Sequence, residues 1–318
     1  MGIVLDFKET GSLIRDIREF RGEVTEGLKE LCGPEYRVEE RDVEKNNGIT
    51  FYGISIAEKD ETVAPTIYME PFFREYERGT MTVIEAENEI LRCYTKQKCS
   101  MDLDITMFSD FEKVKDRLTF RLINSERNAG TLRDVPHRMY LDMALVYTVY
   151  IDDCGMMPGN VLIRDNLMNS WGVDEETLYR HASLNTPVIK KPVIKGLPEM
   201  LIEILEEKED SREEMQNVLN SESGMSMYIL TNSDRFYGDA VILYPDVLSD
   251  LREMTGSDLY LLPSSVHEFI AIPCCEGADE EGLINMVRSV NRTSVTEEDF
   301  LSDNVYIYKD GHVTICQG

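Results

Sequence analysis

The sequence predicts an α+β fold, a mixed α/β chain in which antiparallel or mixed sheets carry flanking helices in two lobes. Helical and strand patterns alternate along the chain, and several neighbouring strand patterns are joined directly by short turns. Asn47-Gly48 and Asp310-Gly311 occupy two such turns, and both pairs tolerate the positive φ of tight hairpins. Hairpins require antiparallel pairing, so the pattern disfavours a doubly wound parallel sheet.

The N-terminal hundred residues predict helices around a small sheet. Apolar residues at helical spacing predict a first helix, ended by Gly33-Pro34: Leu13, Ile14, Ile17, Phe20, Val24, Leu28 and Leu31. Alternation on both sides of Asn47-Gly48 predicts a hairpin over residues 36–58. A third strand at 66–69 and a short helix closed by Gly79 follow.

The middle of the chain mixes helix signals with apolar strands. Ser109 and Glu112 have the spacing of a capping box, which predicts a helix start. The aromatic and β-branched residues of 139–152 favour a buried strand in the second half of that stretch. Further on, Asp174 is a plausible N-cap, and Pro187 is expected to stop the helix that it begins.

A strongly acidic stretch predicts the domain boundary. Residues 203–224 are rich in glutamate and then polar, so they bury little apolar area and are interpreted as a solvated linker. The linker separates an N-terminal α+β domain at 1–202 from a C-terminal α+β domain at 225–318. The C-terminal part begins with a strand pattern, contains the paired strands DLYLLP and EFIAIP, and ends in the Asp310-Gly311 hairpin.

The formal net charge of -27 limits the classes of partner. Nucleic-acid backbones and anionic membranes repel such a chain at long range, so we expect no direct binding to either. A solubilising acidic surface explains the charge. An acidic mimic of nucleic acid is the alternative, and it requires carboxylates in regular rows, whereas here the acids are interspersed with lysines and arginines.

Cysteine usage and the lack of targeting segments predict a cytoplasmic protein. The seven cysteines form no CxxC pair, which favours reduced thiols. Residues 1–16 have no secretory pattern, and no apolar run approaches the roughly 20 residues that a membrane helix needs. No nucleotide-binding glycine motif, EF-hand or HExxH is present, so no cofactor and no metal are predicted.

The first candidate site is the polar segment 124–138 between two apolar stretches. Arginines there could bind a carboxylate or phosphate through two hydrogen bonds. In so acidic a chain, an arginine cluster would make the local electrostatic potential positive. The alternative is that Glu126, Arg127 and Asp134 pair with one another and that Asp134 starts a turn. The candidate ligand-binding residues of this segment are Asn124, Arg127, Asn128, His137 and Arg138.

The second candidate site is YLLPSSVHEFIAIP at 260–273. Ser264 or Ser265 with His267 and Glu268 supplies the residue types of a nucleophile, its base and an acid. Successive side chains on an extended chain diverge, however, and no GxSxG elbow surrounds either serine. The competing interpretation is a turn between two paired strands. His267 and Glu268 are therefore kept as residues that could complete the first site.

Several long stretches resemble a known family. They are NNGITFYGISI, APTIYMEPFFREYERG, FSDFEKVKDRLTFRLINSERN, LRDVPHRMYLDMALVYTVYI, WGVDEETLY and, from MYILTN onward, YGDAVILYPDVL and GSDLYLLPSSVHEFIAIP. In this order they resemble domain-of-unknown-function family 5688, which is common in anaerobic gut Firmicutes, over nearly the whole chain. The C-terminal third is distantly similar to domain-of-unknown-function family 1444. The resemblance implies a bacterial cytoplasmic protein and no particular reaction.

These observations favour a non-enzymatic protein that binds a protein partner or a small ligand. An enzyme or small-ligand-binding protein with a polar site at 124–138 is the alternative, and an acidic nucleic-acid mimic is a third possibility. The sequence alone leaves open whether the protein is an enzyme.

Overall fold

The computed structural model describes residues 14, 16–59, 66–100, 105–151, 159–206, 226–274 and 279–317. Backbone contacts divide the chain into two compact units. The first unit comprises Met1–Lys45 and Ile49–Asp102, and the second comprises Asn46–Gly48 and Leu103–Gly318.

The first unit is a three-stranded antiparallel sheet with helices. Its strands, in spatial order, are β1 (Tyr36–Glu44), β2 (Thr50–Glu58) and β3 (Thr66–Tyr68). Its helices are α1 (Ile17–Cys32), α2 (Glu70–Glu77) and α3 (Val83–Ser100).

Helix α1 has the predicted end and most of the predicted apolar face. Leu31, predicted on that face, is 55% exposed, and Leu13 lies outside the described residues. The N-cap of α1 is Asp16, whose carboxylate accepts the backbone N–H groups of Arg18 and Glu19, and Gly33 ends the helix at φ 76°. Phe20, Val24 and Leu28 of α1 are buried in one apolar cluster with Ile54 and Ile56 of β2. The helix and the following β1–β2 hairpin therefore confirm the sequence prediction.

The hairpin turn uses the predicted residues. Asn47 and Gly48 adopt φ values of 59° and 70°, which only small or polar turn residues accept readily. Within the second unit, the Asn47 side-chain amide donates to the carbonyl groups of Glu297 at 2.8 Å and Phe300 at 2.7 Å. The turn residues are thus fixed by side-chain hydrogen bonds as well as by their backbone preference.

The second unit contains two antiparallel sheets. The four-stranded sheet has the order β4-β6-β5, and its fourth strand, β7, also pairs with β6. The six-stranded sheet has the order β13-β12-β10-β11-β9-β8. The strands are β4 (Leu118–Asn124), β5 (His137–Tyr140), β6 (Met143–Ile151), β7 (Gly159–Leu162), β8 (Pro192–Gly196), β9 (Tyr228–Asn232), β10 (Leu259–Ser265), β11 (Glu268–Pro273), β12 (Tyr306–Lys309) and β13 (His312–Ile315).

Helices accompany both sheets of this unit. They are α4 (Phe111–Val114), α5 (Asp165–Trp171), α6 (Glu175–Ile189), α7 (Leu197–Glu206), α8 (Val247–Thr255) and α9 (Glu280–Thr293). One hydrophobic cluster contains residues of both sheets, among them Leu118 and Leu122 of β4 and Leu259 and Phe269 of β10 and β11. Antiparallel sheets with flanking helices confirm the predicted α+β class.

The division of the chain does not coincide with the predicted linker at 203–224. β8 and β9 lie on either side of that segment and pair directly, with Ile194 opposite Leu230. The predicted domains 1–202 and 225–318 therefore contribute neighbouring strands to one sheet, and the contact-based division falls near residue 102 instead. Residues 207–225, which include most of the acidic stretch, lie outside the described residues.

Two predicted helix boundaries were wrong. Asp110, not Ser109, caps α4, because the Asp110 carboxylate accepts the N–H of Glu112 at 3.0 Å while the Ser109 hydroxyl donates to a carbonyl of its own turn. Pro187 lies inside α6, which continues to Ile189. A proline removes one N–H and crowds the carbonyl one turn before it, but the last turn of α6 is still anchored by the bond from the Lys190 N–H to the Thr186 carbonyl. The predicted N-cap Asp174 is confirmed.

Buried side chains cover the outer edge of β4. One edge of β4 pairs with β6, and on the other the N–H of Phe120 donates to the Thr186 hydroxyl at 3.1 Å. The next outward N–H, that of Leu122, donates to the Asp239 carboxylate at 3.4 Å. Thr186 and Asp239 are both 0% exposed. An uncovered edge is a template for aggregation, and these two side chains close it.

Burial changes the ionisation of Asp239. Removal from water raises its pKa to about 8, and the positive charges of Arg121 and Lys190 offset only part of this rise. The carboxyl group therefore retains its proton at neutral pH. A neutral acid inside the unit avoids most of the cost of burying a charge.

The edge bond can be tested at Thr186. Thr186→Val keeps the shape of the side chain but leaves the N–H of Phe120 without its acceptor. We expect the free energy of unfolding, measured with urea, to fall by about 1–3 kcal/mol, the usual penalty for a buried unsatisfied donor. Thr186→Ser keeps the hydroxyl and serves as the control. Equal losses in the two variants would show that the hydrogen bond is unimportant.

The Asp239 ionisation predicts a pH dependence of stability. The folded state holds this proton up to about pH 8, whereas the unfolded chain loses it near pH 4, so the unfolded state binds fewer protons in that window. The contribution of Asp239 to stability is therefore present at low pH and lost as the pH rises toward 8. In Asp239→Asn, we expect the decrease in unfolding free energy between about pH 5 and pH 8 to be smaller by at least about 1.4 kcal/mol.

The matched control for this pH series is Asp250→Asn, which removes an exposed carboxylate from α8 and makes the same change in net charge. Chemical denaturation at each pH gives the free energies. If the unfolding free energy of Asp239→Asn changed with pH by the same amount as that of the wild type, the raised pKa of Asp239 would be refuted.

Candidate functional site

The predicted residues Asn124 and Asn128 are buried and organise the loop that follows β4. The Asn124 side chain donates to the Leu301 carbonyl at 2.9 Å and accepts the N–H of Arg127 at 2.8 Å. The Asn128 amide donates to the carbonyl oxygen of Asn124 and to the side chain of Asn47, both at 2.8 Å. These contacts fix the backbone, so the two asparagines hold the loop in place.

The charged residues of the same loop have separate partners. The Arg127 guanidinium lies 3.6 Å from the centroid of the Phe300 ring. Asp134 pairs with Arg164 at 2.5 Å rather than with Arg127, so the expected internal pairing of the loop is wrong for this acid. The ring of His137 contacts the Val135 carbonyl oxygen through Nδ1 at 2.8 Å.

The His267 backbone N–H donates to the Ser265 hydroxyl at 3.0 Å, but the imidazole ring has partners other than serine. Its Nδ1 accepts the N–H of Tyr237 at 3.1 Å, so Nε2 carries the proton and donates to Asp299 at 3.2 Å. The Ser264 hydroxyl instead donates to Glu268 at 3.1 Å. Since β10 and β11 pair as neighbours and His267 lies in their connection, the turn interpretation is confirmed.

Arg138 is the predicted residue that lines a cavity. The cavity has a volume of about 350 Å³, and neither Arg127 nor His267 borders it. The structure therefore does not assemble the polar pocket expected of Arg127, Arg138 and His267 together. The lining residues are Phe120, Arg138, Met139, Tyr140, Leu145, Tyr179, Ser183, Leu243 and Pro245, which we call the Arg138 cavity.

The guanidinium of Arg138 is held on three sides. Its Nε and Nη2 donate to the two carboxylate oxygens of Glu175 at 2.7 and 3.0 Å, and Nη2 also donates to Glu176. The buried Tyr147 hydroxyl donates to Glu175, and the guanidinium lies 3.8 Å from the centroid of the Tyr179 ring. The ion pairs raise the pKa of Arg138, and burial raises that of Tyr147. The cavity wall is therefore a rigid, hydrogen-bonded surface.

A second cluster of polar groups, three of them buried and Arg121 partly buried, lies in the second unit, and sequence reasoning missed it. It consists of Arg121 on β4, Lys190 directly after α6, Asp239, and Tyr244. Lys190 is 2% exposed, and burial lowers the pKa of its amine to about 8. Burial also raises the pKa of the Tyr244 hydroxyl, with a contribution from the charge of Asp239.

A local signal for this cluster was present. Arg121 stands alone in the apolar strand TFRLIN, and Asp239 stands alone before the apolar run AVIL. A single charge inside a buried pattern needs a compensating partner, which marks it as a residue to explain. Its partners come from distant parts of the chain, so the cluster itself could not be assembled from spacing.

Two features of other classes of protein are missing from the described part of the chain. No group of three or more histidine, cysteine, aspartate or glutamate side chains is arranged to hold a metal ion there. In the same residues, no helix combines the length and the apolar character needed to cross a membrane.

The comparisons with known proteins identify a family. The model of a family of unknown function, DUF5688, matches residues 17–310. Searches of curated proteins and of solved structures found no match. The family match spans both units and includes the Arg138 cavity and the buried cluster around Arg121. The chain therefore belongs to the DUF5688 family of unknown function.

Proposed function

We propose that this chain is a binding protein that holds a small, flat and largely apolar molecule, neutral or cationic, in the Arg138 cavity. The observation that carries the proposal is a concave site with aromatic walls whose polar groups are already fixed by one another. This proposal refines the expectation of a small ligand and takes from the predicted segment 124–138 the single residue Arg138.

The size and lining of the cavity fit a small molecule. Its volume of about 350 Å³ lies at the lower end of ligand sites, which range over roughly 300–1,000 Å³. Phe120, Tyr140 and Tyr179 contribute rings, and Leu145 and Leu243 contribute aliphatic surface. A molecule with one fused ring system is the size that such a site accepts.

The charge of the wall favours a neutral or cationic ligand. Arg138 contributes one positive charge, but Glu175 and Glu176 both bind it, so the group carries a net negative charge. An anionic ligand would be repelled by this net negative charge. A cation instead gains from the surplus carboxylate and from the electron-rich faces of the rings.

Rigidity is the second advantage of this wall. The two hydrogen bonds from Arg138 to Glu175, together with the Tyr147 hydroxyl on the same carboxylate, leave the side chains little freedom to lose on binding. Ordering costs on association are therefore low, which favours affinity from a small contact area.

We further propose that the protein acts in a bacterial cytoplasm. Cys32, Cys93 and Cys316 are free thiols, and burial raises the pKa of each, which keeps them in the less reactive protonated form. Reduced, protonated thiols suit a reducing compartment. An origin in gut Firmicutes and the similarity to family 1444 stay predictions.

The ligand class can be tested with three probes that share one ring system. Indole, tryptamine and indole-3-acetate are neutral, cationic and anionic at neutral pH. Titration into protein with ¹³C-methyl-labelled methionine should shift the Met139 signal, because Met139 lines the cavity. We expect indole and tryptamine to bind, and indole-3-acetate to bind at least about tenfold more weakly.

Two variants of α6 make the test specific. Ser183→Phe places a ring in the cavity and should abolish the Met139 shifts. Leu184→Phe adds a ring at the neighbouring position, where the side chain is 71% exposed, and should leave the shifts unchanged. Absence of saturable Met139 shifts with all three probes, or unchanged binding in Ser183→Phe, would contradict the proposal.

A further inference from the structure

Arg121 and Lys190 are basic residues of the second unit that lack a carboxylate partner among the described residues. The chain contains 60 acidic and 33 basic residues, and many arginines form ion pairs, as Arg21 does with Glu40. Within the described ranges, no carboxylate oxygen lies within the 4.0 Å ion-pair distance of Arg121 or Lys190. Lys190 is buried, and Arg121 is partly buried with its Nε and Nη1 atoms inaccessible to solvent. Cations in such positions without a close anion are unusual where anions are in surplus.

Several atoms of the same cluster are buried without a hydrogen-bond partner. They are Nε and Nη1 of Arg121, the hydroxyl oxygen of Tyr244 and the second carboxylate oxygen of Asp239. Asp239 is 0% exposed and Tyr244 is 5% exposed, so bulk water does not satisfy them. Native proteins seldom leave such atoms unpaired, and a bound group is one of the usual partners.

The four residues belong to one electrostatic group. Arg121 and Lys190 act on the ionisation of Asp239, and Asp239 acts on that of Tyr244. The Tyr237 ring lies over the Arg121 guanidinium at 4.0 Å, and the Tyr150 ring lies 5.7 Å from the Lys190 amine. Aromatic rings thus border the cationic groups.

We propose that Arg121 and Lys190 form a binding site for a small oxyanion, with Asp239 in its wall. The site is distinct from the Arg138 cavity and does not depend on the function proposed for that cavity. The unpaired N–H and O–H groups are donors that match oxygen acceptors, and the two cations supply charge that no close carboxylate neutralises.

Asp239 is compatible with an anion in this position. Its first carboxylate oxygen is already engaged by the N–H of Leu122 at 3.4 Å. Because the group keeps its proton at neutral pH, its second oxygen can carry that proton and donate to the ligand. Asp234, the other acid that acts on Lys190, is only partly buried and is therefore better screened.

The shared chemistry of the ligand is an oxygen-rich anionic group. A free inorganic oxyanion and the carboxylate of a small metabolite both provide it. Inorganic phosphate, sulfate and acetate are suitable probes, and chloride at equal ionic strength controls for screening. The side-chain ¹H–¹⁵N signal of Arg121 Nε reports binding at the site itself.

We expect one oxyanion to bind saturably, to shift the Arg121 Nε signal and to raise the melting temperature of the full chain. Arg121→Met and Lys190→Met should each weaken binding at least about tenfold. Arg121→Lys, which keeps the charge, should retain part of it. Arg127→Met is the matched control, because Arg127 also lies over an aromatic ring but outside this cluster, and its binding should equal that of the wild type.

Three outcomes would overturn the proposal. The first is a wild-type response to phosphate, sulfate and acetate no larger than the response to chloride, as expected if only water fills the site. The second is undiminished binding in Lys190→Met, which tests the site even if the Arg121 variants fail to fold. The third is a loss of oxyanion binding in Arg127→Met as large as the loss in Arg121→Met and Lys190→Met. Binding of indole probes at Met139 is a separate readout, so either proposal can fail alone.

Discussion

The closure of the outer edge of β4 is the constraint on which the second unit depends. An edge strand inside a protein needs acceptors for its outward N–H groups, and here those acceptors are the side chains of Thr186 and Asp239. Burying a hydroxyl costs less free energy than burying a carboxylate, and the raised pKa of Asp239 reflects the cost of burying the charged form. Two cations act on the same acid. The charges of Arg121 and Lys190 lower the pKa of Asp239 and so offset part of the increase that burial causes. The acid that caps the edge of β4 is thus surrounded by further polar side chains.

Arg138 and Arg121 show two ways in which this protein treats an arginine. Arg138 is half-buried, and its Nε and Nη2 donate to Glu175 and Glu176; a hydrogen bond to a charged group is worth about 1.5–3 kcal/mol. Arg121 is left with two buried N–H groups that no described residue accepts. The first arrangement stabilises a wall, and the second leaves capacity for a ligand. Counting basic residues in the sequence cannot distinguish them, because the difference lies in which carboxylates the fold brings within hydrogen-bond distance.

The sequence patterns correctly predicted those features that depend on the backbone preferences of a few neighbouring residues. The hairpin turns at Asn47-Gly48 and Asp310-Gly311 and the C-terminal end of α1 at Gly33 follow from backbone preferences of a few residues, and all three are confirmed. Pro187 shows the limit, since α6 continues past this proline to Ile189. The candidate residues of 124–138 have the chemistry expected of a site, but Asn124 and Asn128 use it to bind backbone groups contributed by residues far away in the sequence. Long-range pairing of this kind leaves no spacing signal.

The same two elements build both proposed sites. Phe120 of β4 lines the Arg138 cavity, and Arg121, the next residue, points to the opposite face because successive side chains of a strand alternate. Helix α6 contributes Tyr179 and Ser183 to the cavity, and its C-terminal end is followed by Lys190. The bond from Phe120 to Thr186 fixes the position of α6 along β4, so it sets the register of both sites at once. A shift of α6 by one turn would separate Tyr179 from Arg138 and Lys190 from Arg121 together. The buried edge bond is therefore a requirement for either binding function as well as for stability.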